Sequence, residues 1–198
     1  MRCAILAGGQ GSRFGGKPKG LETLAGRRML DRVVDAIDGA FGRPPVLVAN
    51  DPDALTWRPD LQVTRDVMRN CGSLGGIYTA ITHEPGPVLV VAWDMPFVTA
   101  PLLSALATGS VGFDVYLPES PGPRGVEPLC GVYGHACASP ILMSLASLRF
   151  ATTAFHSAVR VGTMPFKTVR QFGDPQHLFF NVNQPADLAH AEDLLAND

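Results

Sequence analysis

Short apolar runs recur along the chain and predict buried strands. The clearest is Val88–Ala92, in which all five residues are apolar and either small or branched. Such a run is typical of a central strand that is covered on both faces of a sheet. Shorter or less regular runs predict further strands at residues 3–7, 46–49, 61–64, 115–117, 129–133 and 167–171.

Between these runs the apolar residues follow helical spacing. Met29, Leu30, Val33, Val34 and Ile37 lie mostly three and four positions apart and predict a helix. The repeated order of strand, loop and helix predicts an α/β fold, with a Rossmann-like, mainly parallel sheet and helices on both of its faces. Further helices are predicted over residues 72–81, 101–107, 141–148 and 185–195.

Composition and charge narrow the class of protein. The chain of 198 residues is 46% hydrophobic and 17% charged, which suits a single folded domain over residues 1–198. A formal net charge of −2 argues against a nucleic-acid-binding surface. No apolar stretch suits a secretion signal or a bilayer span, so we expect a cytoplasmic protein that contacts no membrane. We expect reduced, buried thiols at the four cysteines, Cys3, Cys71, Cys130 and Cys137.

A glycine-rich loop over residues 6–20 follows the first predicted strand. It contains six glycines and the three basic residues Arg13, Lys17 and Lys19. Glycines allow backbone N–H groups to approach phosphate oxygens, since there is no Cβ in the way. The basic side chains can add charge-assisted hydrogen bonds to the same phosphates. The loop therefore predicts a phosphate-bearing ligand.

Two better-known phosphate loops do not fit this segment. Residues 11–17 match G-x-x-x-x-G-K, but Pro18 replaces the Ser or Thr that would hold Mg²⁺. A dinucleotide-binding loop needs G-x-G-x-x-G, whereas Gly9, Gly11 and Gly15 are spaced G-x-G-x-x-x-G. The second predicted strand is also followed by Asn50 rather than by an acidic residue. The sequence thus argues against both of these classes.

Asp94 is the strongest candidate for a metal ligand. It follows the central predicted strand, and ligands of open α/β sheets bind at the carboxyl ends of the strands. Mg²⁺ typically takes one or two carboxylates together with phosphates and water. We therefore predict that Asp94 binds Mg²⁺; the alternative is an aspartate that caps the following helix.

Several blocks of residues together carry a family resemblance. Leu-Ala-Gly-Gly-Gln-Gly-Ser-Arg-Phe-Gly at residues 6–15, followed by Lys19, resembles the signature of sugar-phosphate and cofactor nucleotidyltransferases. Within that group it is most similar to the molybdenum cofactor guanylyltransferases of the MobA type. The similarity extends to Asn50, Asp66 with residues 71–77, and the blocks 94–97, 127–133 and 180–188.

The resemblance implies a fold of the nucleotide-diphospho-sugar transferase type and a Mg²⁺-dependent reaction. GMP would pass from GTP to the terminal phosphate of molybdopterin, with release of pyrophosphate. Residues 1–110 would form the nucleotide-binding half and residues 111–198 the acceptor-binding half. Cofactor-delivery proteins and the chaperones of recipient molybdoenzymes would be its protein partners.

The same resemblance implies a set of site residues. Arg13, Lys19 and Asp94 would be catalytic, and Asp94 would hold the metal. Asn183 would either complete the metal or phosphate shell or form a turn before the last helix. Apart from the resemblance, Arg124 and Glu127 are candidates for the acceptor side because they lie near the turn-rich segment of the second half. The predicted nucleotide-binding residues are Leu6, Ala7, Gly8, Gly9, Gly11, Ser12, Arg13, Lys19, Asn50, Asp66 and Asp94.

The sequence defines the base of the nucleotide substrate and the acceptor substrate less closely than the site residues. Gly8 stands where relatives that transfer cytidylyl groups typically carry alanine, which favours guanine. Ser73 and Gly75, however, depart from the guanylyltransferase pattern Gly-Pro-Leu-Ala-Gly. Three alternatives therefore stay open: CTP with molybdopterin, a nucleotide with a sugar phosphate, and a nucleotide-binding protein without catalysis.

Overall fold

A computed structural model describes residues 1–8 and 18–196 of the chain. The strands in this part of the chain are β1 (Arg2–Leu6), β2 (Thr23–Leu24), β3 (Arg27–Arg28), β4 (Val46–Val48), β5 (Val63–Thr64), β6 (Val88–Ala92), β7 (Val115–Pro118), β8 (Cys130–Tyr133) and β9 (Val161–Met164). The α-helices are α1 (Met29–Phe41), α2 (Ala54–Trp57), α3 (Gly72–His83), α4 (Ala100–Gly109), α5 (Ala138–Ala146), α6 (Phe166–Val169), α7 (Pro175–Leu178) and α8 (Pro185–Ala196).

The main sheet has seven described strands in the order β5–β4–β1–β6–β8–β7–β9. β1 pairs in parallel with β4 on one side and with β6 on the other. β8 is antiparallel to both of its neighbours, β6 and β7, and β9 is again parallel to β7. The prediction of a mainly parallel sheet is therefore confirmed, with β8 as the reversed strand.

Apolar side chains fill the space on both faces of the sheet. On one face Ile5 of β1 and Leu89 of β6 belong to a cluster that includes Leu30 of α1. On the other face Ala4 and Val90 pack in a cluster with residues of α3 and α5. Successive strand residues point to opposite faces, so a strand that is covered on both sides is apolar throughout. This explains why β6 has the bounds that its sequence predicts.

The strand predicted at residues 167–171 is wrong. This region contains the helix α6, and the edge strand β9 comes earlier, at Val161–Met164. Pro165 separates the two elements, because its fixed φ and missing N–H end a strand and suit a helix start. Within β9, Gly162 and Thr163 interrupt the apolar pattern, and a Cβ on Gly162 would overlap the ring of Phe113. The close packing against Phe113 requires a glycine at position 162. That glycine also interrupts the run of apolar residues from which a strand would be predicted.

A small hairpin of β2 and β3 was not predicted. Its turn residues Ala25 and Gly26 both have positive φ, 49° and 78°, as a type I′ turn requires. Ala-Gly is a weak signal for such a turn, since Asn or Asp is usual at the first position. Leu24 nevertheless packs with Met29, Val182 and Ala191, so the hairpin joins α1 to the last helix.

The cysteine prediction is confirmed, because all four thiols are free and buried. Burial raises the pKa of Cys3 and the pKa of Cys137 to about 12, so both stay protonated and unreactive at neutral pH. Among the described residues, no helix has the length and apolar character that a membrane span requires.

Candidate active site

The carboxyl ends of four parallel strands meet at one edge of the sheet. β1 leads into Gly8, β4 into Asn50, β5 into Asp66, and β6 into Asp94. In open α/β sheets this edge is the place where ligands bind. The predicted site residues that the structure describes therefore lie along one edge.

The start of the glycine-rich loop is fixed by the sheet. Ala7 donates its N–H to the carbonyl of Val48 over 2.9 Å, and the side chains of Leu6 and Ala7 are buried. Gly8 is exposed, with open space where a Cβ would lie. Leu6 and Ala7 can thus offer a ligand only their backbone. The predicted ligand residues Gly9, Gly11, Ser12 and Arg13 lie outside the described part of the chain.

Three residues from distant parts of the sequence converge beside β6. The Nζ of Lys19 forms an ion pair with Oδ2 of Asp94 and donates to Oδ1 of Asn183 over 2.9 Å. Asp94 is only 6% exposed. The N–H of Val182 donates to the backbone carbonyl of Asp94 over 3.0 Å, which holds the neighbouring Asn183 at the site. A carboxylate, an amide oxygen and an ammonium group therefore meet at one point.

The oxygen atoms at this point suit a hard cation. The Asp94 carboxylate and the Asn183 amide oxygen both contact the Lys19 ammonium, so they already converge on one positive charge. Mg²⁺ prefers such oxygen ligands and commonly takes only one or two of them from carboxylates. Residues 1–8 and 18–196 contain no group of three or more His, Cys, Asp or Glu side chains that could hold a metal. Asp94 and Asn183 thus offer two oxygen ligands of the kind that a hard divalent cation takes.

Lys19 is positioned by tight packing of the next residue. A Cβ on Gly20 would overlap the six-membered ring of the Trp93 indole. Trp93 is buried and stacks on Trp57, with 5.2 Å between the ring centroids. The two tryptophans therefore have a packing role, and only glycine lets the chain pass so close to the indole.

This packing predicts the effect of Gly20→Ala. The added methyl must displace a buried indole, and overpacking of this kind typically costs about 1–3 kcal/mol. We expect the free energy of unfolding to fall by that amount in urea denaturation. Gly122→Ala is the matched control, because its Cβ would meet only Ser120 Oγ at 3.4 Å. Equal stability of Gly20→Ala and the wild type would contradict the packing described here.

A second polar group lies at the ends of β4 and β5. Asn50 Nδ2 donates to Asp66 Oδ2 over 2.6 Å, and the N–H of Asp66 donates to Asn50 Oδ1 over 3.0 Å. Thr79 of α3, only 1% exposed, accepts the N–H of Val67 and donates to Gly75 O, each over 3.0 Å. Thr79 therefore fixes the segment that carries Asp66. Thr79 was not predicted as a site residue, because it is one of several polar residues on α3.

The fold and this edge of the sheet define a nucleotide-binding class of α/β protein. Residues 3–159 match the family described as the MobA-like NTP transferase domain. The chain belongs to this family and is a nucleotidyltransferase. The resemblance found in the sequence is thus confirmed.

Individual relatives cover nearly the whole chain. A molybdenum cofactor guanylyltransferase of Desulfosudis oleivorans is 35% identical over 193 residues, which span 95% of this chain and 92% of the relative. A probable enzyme of the same name from Pelotomaculum thermopropionicum is 31% identical, over 98% and 92% of the two chains. The structure of molybdopterin-guanine dinucleotide biosynthesis protein A from Archaeoglobus fulgidus is similar with a TM-score of 0.84 and 27% identity, over 100% of both chains.

Proposed function

We propose that this protein transfers GMP from GTP to the terminal phosphate of molybdopterin and releases pyrophosphate. The product would be the guanine dinucleotide form of the molybdenum cofactor. The observation that carries the proposal is the convergence of Lys19, Asp94 and Asn183 at the carboxyl edge of the sheet. The full-length similarity to molybdenum cofactor guanylyltransferases supports the choice of substrates.

The reaction needs charge neutralisation more than acid–base catalysis. An oxygen of the acceptor phosphate is already anionic and attacks the α-phosphorus of GTP, while the bond from that phosphorus to the bridging oxygen breaks. Pyrophosphate leaves with the electron pair. Lys19 would neutralise part of the negative charge that gathers on the phosphates, in a site where Asp94 is almost fully buried. Gly8, together with Gly9, Gly11, Ser12 and Arg13, would hold the triphosphate through backbone amides and a guanidinium.

Mg²⁺ is the metal that we propose for this site, with Asp94 and Asn183 as its protein ligands. When bound, it would neutralise phosphate charge and align the reacting groups. Lys19 and the metal both require the oxygens of Asp94 and Asn183, so Lys19 would then turn its ammonium group to a phosphate. Asp94 would therefore have two functions: it holds Lys19 in the free protein and would hold the metal in the complex.

Asn50 and Asp66 would contact the base or the ribose of the nucleotide. The Asp66 carboxylate lies at the same edge as Gly8 and can accept hydrogen bonds from N–H or O–H groups of the ligand. Hydrogen bonds to charged groups contribute about 1.5–3 kcal/mol, so Asp66→Asn should weaken GTP binding about tenfold or more. Isothermal titration calorimetry of GTP checks this. Asp38→Asn, on the exposed surface near the end of α1, is the control, and an unchanged affinity of Asp66→Asn would remove Asp66 from the site.

Parallel reactions with molybdopterin and each of the four nucleoside triphosphates test the function. With Mg²⁺ present, we expect the dinucleotide product from GTP and little from the other three. Product from CTP alone would instead favour the cytidylyl alternative, and product only with a sugar phosphate would replace the acceptor. Binding of GTP without product from any acceptor would favour a non-catalytic protein.

We also propose the cytoplasm as the compartment of this reaction. GTP is available there, and the four free thiols suit a reducing environment. Cofactor-delivery proteins and recipient chaperones stay predictions that rest on the resemblance of the sequence.

A further inference from the structure

The ladder between β6 and β8 brings Glu127 and Asp94 to the same edge of the sheet. The two strands are antiparallel, and the ladder continues past their ends with a hydrogen bond from Ala92 N to Leu129 O of 2.8 Å. In an antiparallel pair, each step forward on one strand is a step back on the other. Asp94 comes two residues after Ala92, and Glu127 comes two residues before Leu129, so both carboxylates lie just beyond the ladder at the same edge of the sheet.

Local hydrogen bonds fix the position of Glu127. Its N–H donates to Pro118 O over 3.0 Å, which ties it to the end of β7. Its Oε1 accepts the N–H of Leu129 over 2.9 Å. The second carboxylate oxygen, Oε2, has no hydrogen-bond partner among the residues that the structure describes. Glu127 is thus a rigid, half-buried acceptor with one oxygen available to a ligand.

The pKa of Glu127 is consistent with a position close to the Asp94 carboxylate. Burial is the main cause that raises the pKa of Glu127, and the negative charge of Asp94 raises it further. The hydrogen bond from Leu129 and the positive charge of Arg124 act in the opposite direction. A half-buried acceptor of this kind is stabilised by a hydrogen-bond donor from a ligand.

Glu127 and the candidate nucleotide-binding residues lie on opposite sides of Asp94. Gly8, Asn50 and Asp66 follow β1, β4 and β5, which lie on one side of β6, whereas Glu127 precedes β8 on the other side. An in-line displacement brings the acceptor to the α-phosphorus opposite the leaving pyrophosphate. If the pyrophosphate leaves on the β1 side of Asp94, the acceptor would approach from the β8 side, where Glu127 lies.

We propose that Glu127 binds the uncharged part of the acceptor. Its Oε2 would accept a hydrogen bond from an N–H or O–H group of the acceptor. The acceptor phosphate is anionic and would be repelled by a carboxylate, so the contact must involve a group beyond that phosphate. A reduced pterin is rich in N–H donors and fits this requirement. The proposal rests on the proposed function and adds the residue that recognises the acceptor.

Steady-state kinetics of Glu127→Gln test this proposal. The amide keeps the size of the side chain and an oxygen for Leu129 but loses the charge, so we expect the KM for molybdopterin to rise about tenfold or more. The KM for GTP and the affinity for GTP in calorimetry should stay at the wild-type values. We expect kcat to fall less than the KM for molybdopterin rises. Glu84→Gln, an exposed residue before β6 at the opposite edge, is the matched control.

The outcomes separate this proposal from the proposed function. An unchanged KM for molybdopterin in Glu127→Gln, with normal turnover by the wild type, overturns the role of Glu127 alone. An equal rise in the KM for GTP overturns it as well, because it indicates a general change at the metal or phosphate site. Absence of dinucleotide product from the wild-type protein with molybdopterin overturns both proposals.

Discussion

Asp94→Asn should lower the rate of nucleotidyl transfer at least about a hundredfold. A metal ion contributes several kcal/mol of transition-state stabilisation, and each 1.4 kcal/mol corresponds to a factor of ten in rate. Asparagine keeps the size of the side chain but removes the charge that would hold Mg²⁺ and that holds Lys19. Pyrophosphate release from GTP in the presence of molybdopterin measures this loss.

Direct metal binding provides the second measurement on the same variant. Titration with Mn²⁺, followed by electron paramagnetic resonance in the presence of GTP, should show a weaker site in Asp94→Asn. Asp38→Asn has the same chemical change on the exposed surface near the end of α1 and should match the wild type in both assays. Wild-type turnover by Asp94→Asn would rule out Asp94 as the metal ligand.

Lys19→Met should also slow transfer about a hundredfold, for a different reason. The substitution keeps an unbranched apolar side chain but removes a cation that we expect to contact the phosphates, and such groups contribute about 10²–10³ in rate. The Asp94 oxygen would lose its ammonium partner, so the negative charge available to a metal would increase. Mn²⁺ binding in Lys19→Met should therefore be at least as tight as in the wild type.

The two variants together separate the two roles. Asp94→Asn should lose both turnover and metal affinity, whereas Lys19→Met should lose turnover alone. Arg43→Met is the control for Lys19→Met, because Arg43 is exposed and precedes β4 at the opposite edge of the sheet. Equal loss of metal affinity in Lys19→Met would show that the Lys19 ammonium does not compete with the metal.

Much of the sheet and part of the site could be predicted because burial and strand direction leave a clear pattern in the sequence. β6 is apolar throughout since helices cover both faces, and the residues after parallel strands must share one edge. Gly8 and Asp94 could be placed from this rule, whereas Asn50 and Asp66 were predicted from the family resemblance. The edge strand β9 could not, because the glycine and the threonine within it interrupt the apolar run.

The contacts within the site were not predictable from local patterns. Lys19 and Asn183 are 164 residues apart, and their hydrogen bond depends on the backbone contact between Val182 and Asp94. The resemblance left Asn183 open between a ligand and a turn residue; the structure places its amide oxygen against Lys19. Thr79 was missed for a similar reason, since a single threonine on a helix carries no signal until its partner Val67 is known.

The fate of the individual phosphorus atoms of GTP tests the central claim most directly. Molybdopterin is incubated with the protein, Mg²⁺ and GTP that is radiolabelled at either the α or the γ position. Nucleotidyl transfer predicts that the α label enters the dinucleotide cofactor and that the γ label appears only in pyrophosphate, in equal amounts. Entry of the γ label into the acceptor, or release of orthophosphate without a labelled dinucleotide, would contradict the proposed reaction.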